Sequence, residues 1–222
     1  MGQASVEQHS QSWISALREG VIRLGRPIHR RLRQEKVELF FSLTADSKRS
    51  TLLDVGGGTG IDSEFVPLYQ AFREVTVVNL DPSPDRHTLP HVRRMVGDGC
   101  CLPFADRSFD WVFSNAVIEH VGGVEEQRKF ASEICRVARC GYFVTTPNKF
   151  FPIEPHTLLP LYQFLPESCQ RKVVRLSPYY VHVYEKIRLL GAQDMRNLFP
   201  GARIASTGFP VVGTSLVAMR AE

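Results

Sequence analysis

The stretch that decides the fold is Leu52-Leu53-Asp54-Val55-Gly56-Gly57-Gly58-Thr59-Gly60. The apolar residues around its acid are typical of a buried strand, and its glycines let the backbone turn sharply and approach a ligand closely. A helix-like segment begins at Ile61. A strand, a glycine turn and a helix in this order predict a strand whose carboxyl end meets a cofactor.

The length and composition are those of one ordinary globular domain. The chain has 222 residues, with 43% hydrophobic and 23% charged residues, which suits a single well-filled α/β domain. No run approaches the roughly 20 apolar residues of a membrane span, and the first residues lack an apolar signal core, so we expect a cytoplasmic protein. The five cysteines form no C-x-x-C pair, which favours reduced thiols over disulfides or a zinc site.

Positive charge is concentrated near the N-terminus. Residues 1–50 hold nine Lys or Arg against five acids, and this excess equals the net charge of +4 of the whole chain. Two interpretations stay open: a solvated helix face, or a surface that meets an anionic partner such as nucleic acid or a membrane.

Strand and helix patterns alternate along the chain. This alternation predicts an α/β fold with a doubly wound, mostly parallel sheet of seven strands, covered by helices on both faces. The predicted strands are 51–55, 75–80, 92–96, 109–113, 141–146, 202–206 and 214–219. The predicted helices are 6–17, 27–43, 61–72, 124–138 and 192–198, with Pro67 expected to shorten or kink the third.

We expect one domain with four segments. Residues 1–50 form a helical N-terminal extension, 51–147 the cofactor-binding core, 148–180 an insertion and 181–222 a C-terminal helix and strands. The insertion is rich in aromatic residues and interrupted by prolines. Because it follows the fifth strand, at the carboxyl edge where open α/β sheets bind ligands, we interpret it as a substrate lid.

The residues around the glycine turn discriminate between cofactors. Nicotinamide, flavin and S-adenosylmethionine sites share such turns. A dinucleotide fingerprint wants glycine where Ile61 stands, and the carboxylates of Asp62 and Glu64 would repel a pyrophosphate from the helix N-terminus. Acids at the strand ends make the edge negative, which favours a cationic sulfonium. These acids are Asp54, Asp81 and Asp98.

Four motifs occur in the order and with the gaps of a known family. They are 52–60, 78–81, 97–99 with 102–110, and 117–121. From about residue 51 to 148 the chain thereby resembles the class I S-adenosylmethionine-dependent methyltransferases of the type 11 group. Residues 151–157 are similar to a segment in some members. The resemblance implies a Rossmann-like methyltransferase fold and S-adenosylmethionine as cofactor.

The resemblance also implies roles for individual residues. The glycines would pass beneath the methionine part, Asp54 would organise the turn and contact the amino group, and Asp81 would accept both ribose hydroxyls. Asp98 would accept from the adenine amino group; its other interpretation is a turn residue. The cofactor-binding residues so predicted are Asp54, Gly56, Gly58, Gly60, Asp81, Asp98, Gly99, Cys100 and Ser114.

Methyl transfer depends on positioning more than on acid–base groups, and the sequence shows no catalytic triad. The candidate bases are His120 and His156, with Glu119 as orienter or alternative. The O-methyltransferases of ubiquinone synthesis carry E-x-x-E-H here to bind a divalent ion, but Ala116 stands at the first Glu. We therefore predict no metal. His87 and His91 lack a third ligand for zinc.

Absent motifs narrow the acceptor. The residues after the fourth strand contain neither an Asp/Asn-Pro-Pro-aromatic motif for nitrogen methylation nor a Pro-Cys nucleophile, which disfavours nucleic-acid bases. We expect O-methylation of a small-molecule, sugar or lipid-linked acceptor, with peripheral contact to a membrane. Two alternatives remain: a nucleic-acid-directed protein that uses the basic N-terminal helix, and an NAD-dependent oxidoreductase. The oligomeric state stays open.

Overall fold

The computed structural model describes residues 27–44, 47–57, 65–81, 89–177 and 187–221. The expected helix at 6–17, the glycines Gly58 and Gly60, and the acids Asp62 and Glu64 lie outside these residues. The described ranges contain seven strands: β1 Thr51–Val55, β2 Glu74–Asn79, β3 Val92–Val96, β4 Phe109–Asn115, β5 Ala138–Pro147, β6 Arg203–Thr207 and β7 Ser215–Ala221.

The strands form one sheet in the order β3-β2-β1-β4-β5-β7-β6. The first five pair in parallel, and β7 runs antiparallel to both β5 and β6. This confirms the predicted doubly wound, mostly parallel fold of seven strands. The strand order reverses between β1 and β4, and open sheets of this kind bind ligands at such a switch point, outside the carboxyl ends of the strands.

Five α-helices are described. They are α1 over residues 27–41, α2 Val66–Ala71, α3 Val124–Val137, α4 Glu167–Val173 and α5 Ala192–Leu198. The bounds of α5 are those predicted. Of the predicted helix 61–72, residues 61–64 lie outside the described residues, and Pro67 lies in the first turn of α2, where the missing N–H group costs nothing.

Alternating side chains of the strands enter two separate cores, so helices cover both faces of the sheet. Helices α1 and α2 pack on one face, and α3 and α5 on the other. The first core includes Leu52, Val75, Val77, Trp111, Phe113, Phe143, Val217 and Met219. The second includes Leu53, Val55, Val78, Val112, Tyr142, Val144, Leu216 and Ala218.

Helix α1 belongs to the core of the sheet. Phe40 is fully buried, and its ring lies 5.3 to 6.0 Å from four other rings. These rings are Phe72, Trp111, Phe113 and Phe143. The part of the N-terminal extension that carries Phe40 therefore contributes to the stability of the cofactor-binding core.

The chain divides into two compact units. The larger is Arg33–Phe151 with Glu185–Glu222, and the smaller is Met1–Leu32 with Pro152–Tyr184. In the described part of the smaller unit, the Leu161 N–H donates to the Pro152 carbonyl oxygen at 2.7 Å, and α4 is followed by a 3₁₀ turn at Val174–Leu176. Whether residues 148–180 act as a lid in a single domain stays a prediction. No helix in the described ranges is both long and apolar enough to cross a bilayer.

Candidate active site

The first glycine after β1 has no room for a side chain. Gly56 has φ of 83°, a conformation that other residues rarely adopt. A Cβ atom there would lie 2.3 Å from Cγ2 of Val117. The Gly56 N–H donates to the carbonyl oxygen of Val78 at 2.7 Å, so the turn is tied to the neighbouring strand β2 before any ligand binds.

The second glycine of the turn is held by a residue that the sequence analysis did not select. Asn79, the last residue of β2, donates from Nδ2 to the Gly57 carbonyl oxygen at 2.8 Å. A Cβ atom on Gly57 would lie 2.6 Å from Oδ2 of Asp54. The signal for Asn79 in the sequence is an amide at a strand end, two residues before the acid Asp81.

Asp54 lies beneath this turn, in the core. It is 4% exposed, and the hydroxyl of Tyr69 donates to its Oδ2. Burial raises the pKa of Asp54 to about 6, although the Tyr69 hydrogen bond and the charge of Arg94 act in the opposite direction. The contacts suit the predicted role of organising the turn, since the carboxylate fills the space next to Gly57.

Two further predicted acids follow the ends of β2 and β3. Asp81 is exposed, and its backbone N–H donates to Oδ1 of Asn79 at 3.2 Å. Asp98 is also exposed, and its Oδ1 accepts the N–H of Cys100 at 2.8 Å. This second bond is that of an Asx turn, so Asp98 shapes its own loop. The structure thus brings both carboxylates to the edge that carries the glycine turn.

The other predicted cofactor residues have protein partners. A Cβ atom on Gly99 would lie 2.6 Å from the ring of Phe130. The Cys100 thiol donates to the Glu126 carbonyl oxygen at 3.4 Å, and burial, followed by the charge of Asp98, raises the pKa of this thiol to about 11. The thiol is therefore protonated at neutral pH, and any contact of Cys100 with a cofactor is left to its backbone.

Ser114 is fully buried inside β4. Its Oγ donates to the carbonyl oxygen of Val55 at 2.9 Å. The hydroxyl therefore joins the ends of β1 and β4, where the strand order reverses. A role of Ser114 toward the cofactor stays a prediction.

Two candidate acid–base residues lie in the loop after β4. Glu119 is fully buried, and its Oε2 accepts the hydroxyl of Thr146 at 3.1 Å. His120 is exposed, with Nε2 at 3.9 Å from Oε1 of Glu119. The loop begins at Ala116 with a positive φ of 56°, and the N–H of Ala116 donates to the Thr145 carbonyl oxygen. At this distance the two groups form a salt bridge only when the imidazole carries a second proton.

The third candidate, His156, belongs to the smaller unit. Its Nδ1 lies 2.6 Å from Oε1 of Glu154, whose Oε2 accepts the N–H of Thr157 at 2.6 Å. Burial alone would raise the pKa of Glu154, but the hydrogen bond and charge of His156, together with Thr157, hold it below its usual value. An ionised Glu154 fixes the imidazole proton on Nδ1 and makes Nε2 the nitrogen that can accept a proton.

The described residues fit an adenosyl cofactor with a positive charge. The side-chain-free backbone at Gly56 and Gly57 lies next to exposed carboxylates beyond β2 and β3. Carboxylates accept hydrogen bonds from hydroxyl and amino groups and attract a cationic sulfur, whereas they repel a diphosphate.

Comparison with known proteins shows which family this chain is similar to. Residues 53–145 match the family described as a methyltransferase domain. Over 111 residues the chain is 32% identical to malonyl-[acyl-carrier protein] O-methyltransferase 1 of Coxiella burnetii (strain RSA 493 / Nine Mile phase I), covering 50% of this chain and 36% of that protein. The chain thus matches about a third of the length of this curated relative. The family match decides among the cofactors that share a glycine turn, in favour of S-adenosylmethionine.

Solved structures share the fold at low sequence identity. Magnesium protoporphyrin IX methyltransferase from Synechocystis PCC 6803 with bound SAH has a TM-score of 0.60 at 17% identity, covering 87% of this chain and 83% of that one. An S-adenosylmethionine-dependent methyltransferase from Mesorhizobium loti has a TM-score of 0.58 at 10% identity, covering 82% of this chain and 95% of that one. These similarities confirm the predicted Rossmann-like fold.

Proposed function

Because residues 53–145 form a class I S-adenosylmethionine-dependent methyltransferase domain, we propose that the protein transfers a methyl group to an oxygen atom of a small-molecule, sugar or lipid-linked acceptor. The observation that carries this proposal is the pairing of a rigid glycine turn after β1 with exposed carboxylates after β2 and β3. When bound, S-adenosylmethionine supplies a methyl group attached to a cationic sulfur.

The proposed cofactor site divides into two parts. Gly56, with Gly58 and Gly60, carries the methionine part, and the buried Asp54 supports that turn from below. Asp81 accepts from the ribose hydroxyls, and Asp98, with the backbone of Gly99 and Cys100, accepts from the adenine amino group. Charge-assisted hydrogen bonds of this kind contribute roughly 1.5–3 kcal/mol each.

Catalysis is proposed to rest mainly on positioning. Alignment of acceptor and methyl group can supply on the order of 7–11 kcal/mol, whereas a general base adds about 3–5 kcal/mol. Of the three residues selected from the sequence, Glu119 orients the loop after β4, and His120 and His156 are the candidates for proton transfer. His156 is supported by the carboxylate of Glu154 on its Nδ1.

Two observations support an oxygen acceptor with apolar character. The relative from Coxiella burnetii is an O-methyltransferase whose named acceptor is malonyl-[acyl-carrier protein]. In the smaller unit, large apolar side chains are exposed along with basic ones, which suits an amphiphilic molecule. The apolar residues are Ile153, Leu161, Phe164 and Leu176, and the basic residues are Arg171, Lys172 and Arg175.

The test is transfer of labelled methyl from S-adenosylmethionine into a fractionated cell extract, followed by identification of the labelled product. Calorimetry with S-adenosylhomocysteine, in parallel with NAD, measures cofactor binding independently of the acceptor. We expect binding of the homocysteine product and an ether or ester as labelled product. A labelled nucleic acid, with binding that falls steeply as salt rises, would favour the nucleic-acid alternative. Failure to bind S-adenosylhomocysteine would refute the proposal.

A further inference from the structure

A buried lysine lies where β4 and β5 end. Lys36 on α1 is 8% exposed, and its Nζ donates to Oδ1 of Asn115 at 3.1 Å. Asn115 is the last residue of β4. The hydroxyl of Thr145 on β5 donates to the same oxygen at 2.8 Å. Both groups donate to the amide oxygen, and these two contacts hold the amine in a defined position.

The charges around this amine come from two elements. Glu119 approaches from the loop after β4, and Arg33 and Glu35 lie on α1 itself. Burial has the largest effect and lowers the pKa of Lys36 to about 8; Glu119 raises it, Arg33 lowers it and Glu35 raises it. A substantial fraction of Lys36 is therefore neutral in mildly alkaline solution, where an ordinary lysine with a pKa of about 10.4 is fully charged.

Lys36 lies at the ends of β4 and β5, the part of the sheet edge that we call the acceptor half. Asp81 and Asp98, the proposed adenosyl-binding acids, follow β2 and β3, and the glycine turn follows β1. In the order β3-β2-β1-β4-β5, the ends of β4 and β5 lie on the other side of the glycine turn. Ligands of doubly wound sheets bind across this switch point. An acceptor that meets the methyl group therefore enters next to Asn115 and Lys36.

We propose that Lys36 is a further catalytic residue, which as a neutral amine takes the proton of an acceptor hydroxyl during methyl transfer. The acceptor oxygen forms a bond to the methyl carbon, the carbon–sulfur bond breaks with its electron pair kept by sulfur, and the hydroxyl proton moves to Nζ of Lys36. The buried carboxylate of Glu119 stabilises the resulting ammonium, and Asn115 positions it. The ammonium then returns the proton to water.

This inference rests on the proposed function and narrows its substrate class. A carboxylate acceptor is already ionised at neutral pH and needs no base, whereas an alcohol or phenol must lose a proton. A neutral amine at the acceptor half therefore suits a hydroxyl acceptor.

The protonation of Lys36 can be measured without any acceptor. In protein containing ¹³C-labelled lysine, the Cε resonance that disappears in Lys36→Met reports its titration; Lys48→Met, at an exposed lysine, is the matched control. We expect a midpoint at about 8, against about 10.4 for ordinary lysines. A Lys36 midpoint among the ordinary values would overturn the proposal.

The catalytic role of Lys36 is measured as transfer of labelled methyl into the extract fraction that contains the acceptor, from about pH 6 to about pH 10. The affinity for S-adenosylhomocysteine is the second readout. We expect the wild-type rate to rise through about pH 8, and Lys36→Arg, which does not lose its proton, to slow transfer about 10²–10⁴-fold while affinity is kept. Methylamine should partly restore Lys36→Met. Should Lys36→Met unfold at lower temperature than the wild type, Lys36→Arg and the titration carry the test.

The contrary outcomes are separable. An unchanged rate and pH profile in Lys36→Arg would overturn the role of Lys36. So would a wild-type rate that rises near pH 6.5, where histidine titrates, if this rise is lost in His120→Gln or His156→Gln. Absence of S-adenosylhomocysteine binding and of transfer in the wild type would refute the proposed function, and with it this role.

Discussion

Replacing Asp54 by Asn should raise the stability of the protein relative to the wild type, and the gain should be larger at neutral pH than at acid pH. Asp54 is 4% exposed, and its carboxyl group accepts a hydrogen bond from the Tyr69 hydroxyl. Its pKa of about 6 reflects a charge that is costly to bury. Asparagine keeps an oxygen that can accept from Tyr69, but it never ionises.

The size of the effect follows from the pKa. A carboxyl group with a raised pKa stabilises the fold while it is protonated, so this contribution is complete below the unfolded pKa of about 3.9 and is lost as pH rises through about 6. Each unit of difference between the folded and unfolded pKa is worth about 1.4 kcal/mol. Full ionisation of Asp54 therefore destabilises the folded protein by about 3 kcal/mol. Most of it, about 2–3 kcal/mol, should be lost between about pH 4 and about pH 7.5.

The assay is urea unfolding of both proteins across this range, with the difference in free energy of unfolding plotted against pH. Asp110→Asn is a control of opposite sign. Burial alone would raise the pKa of Asp110, but hydrogen bonds from Thr51 and Arg139 hold it low, so its contribution is present at neutral pH and lost as pH falls. If the difference between wild type and Asp54→Asn does not change with pH, burial does not raise the pKa of the Asp54 carboxyl group.

Three further substitutions separate the roles of the site. Gly56→Ala should destabilise the fold by about 1–3 kcal/mol, measured by urea unfolding, because of its positive φ and the contact of 2.3 Å with Val117. Asp81→Ala should weaken S-adenosylhomocysteine binding about 10- to 100-fold in calorimetry, with thermal unfolding unchanged because the side chain is exposed; unchanged affinity would remove Asp81 from the site. His156→Ala should keep S-adenosylhomocysteine binding and slow methyl transfer less than Lys36→Arg does, because the proposed proton acceptor is Lys36; a larger loss in His156→Ala would identify the ring paired with Glu154 as the base.

The elements that the sequence predicted well are those whose signals are local. Short apolar and β-branched runs predicted all seven strands, and every strand except β3 sends neighbouring side chains into opposite cores. Helix α5 begins where Gly191 donates to the Asp194 side chain at 2.8 Å, and α3 where Gly123 donates to Glu126 at 3.0 Å. Both helix starts can be predicted from the sequence, because an acid stands three residues after a glycine.

The contacts that the sequence did not predict depend on how strands pair. The bond from Asn79 to the glycine turn requires β2 to lie next to β1. Lys36 was counted in the basic excess of the first 50 residues, an excess interpreted as a solvated face or an anion-binding surface. It lies instead on the buried side of α1, four residues before Phe40. That helical spacing was visible in the sequence, but the polar partner that makes burial of an amine tolerable, Asn115, is 79 residues away.

Contacts within the protein fix the conformation of the glycine turn without a ligand. Val117 closes the space at Gly56, the carboxylate of Asp54 closes it at Gly57, and Asn79 holds the Gly57 carbonyl oxygen. A larger residue at either glycine would therefore damage packing and cofactor contact together, so such variants cannot separate the two. Asn79→Ala can, because it adds no atoms and removes only the bond to the Gly57 carbonyl oxygen and the bond that the Asp81 N–H donates to Asn79. We expect a stability loss of about 1–2 kcal/mol in urea unfolding and a fall in S-adenosylhomocysteine affinity that exceeds it. Equal affinity in the variant would mean that the turn keeps its shape without Asn79.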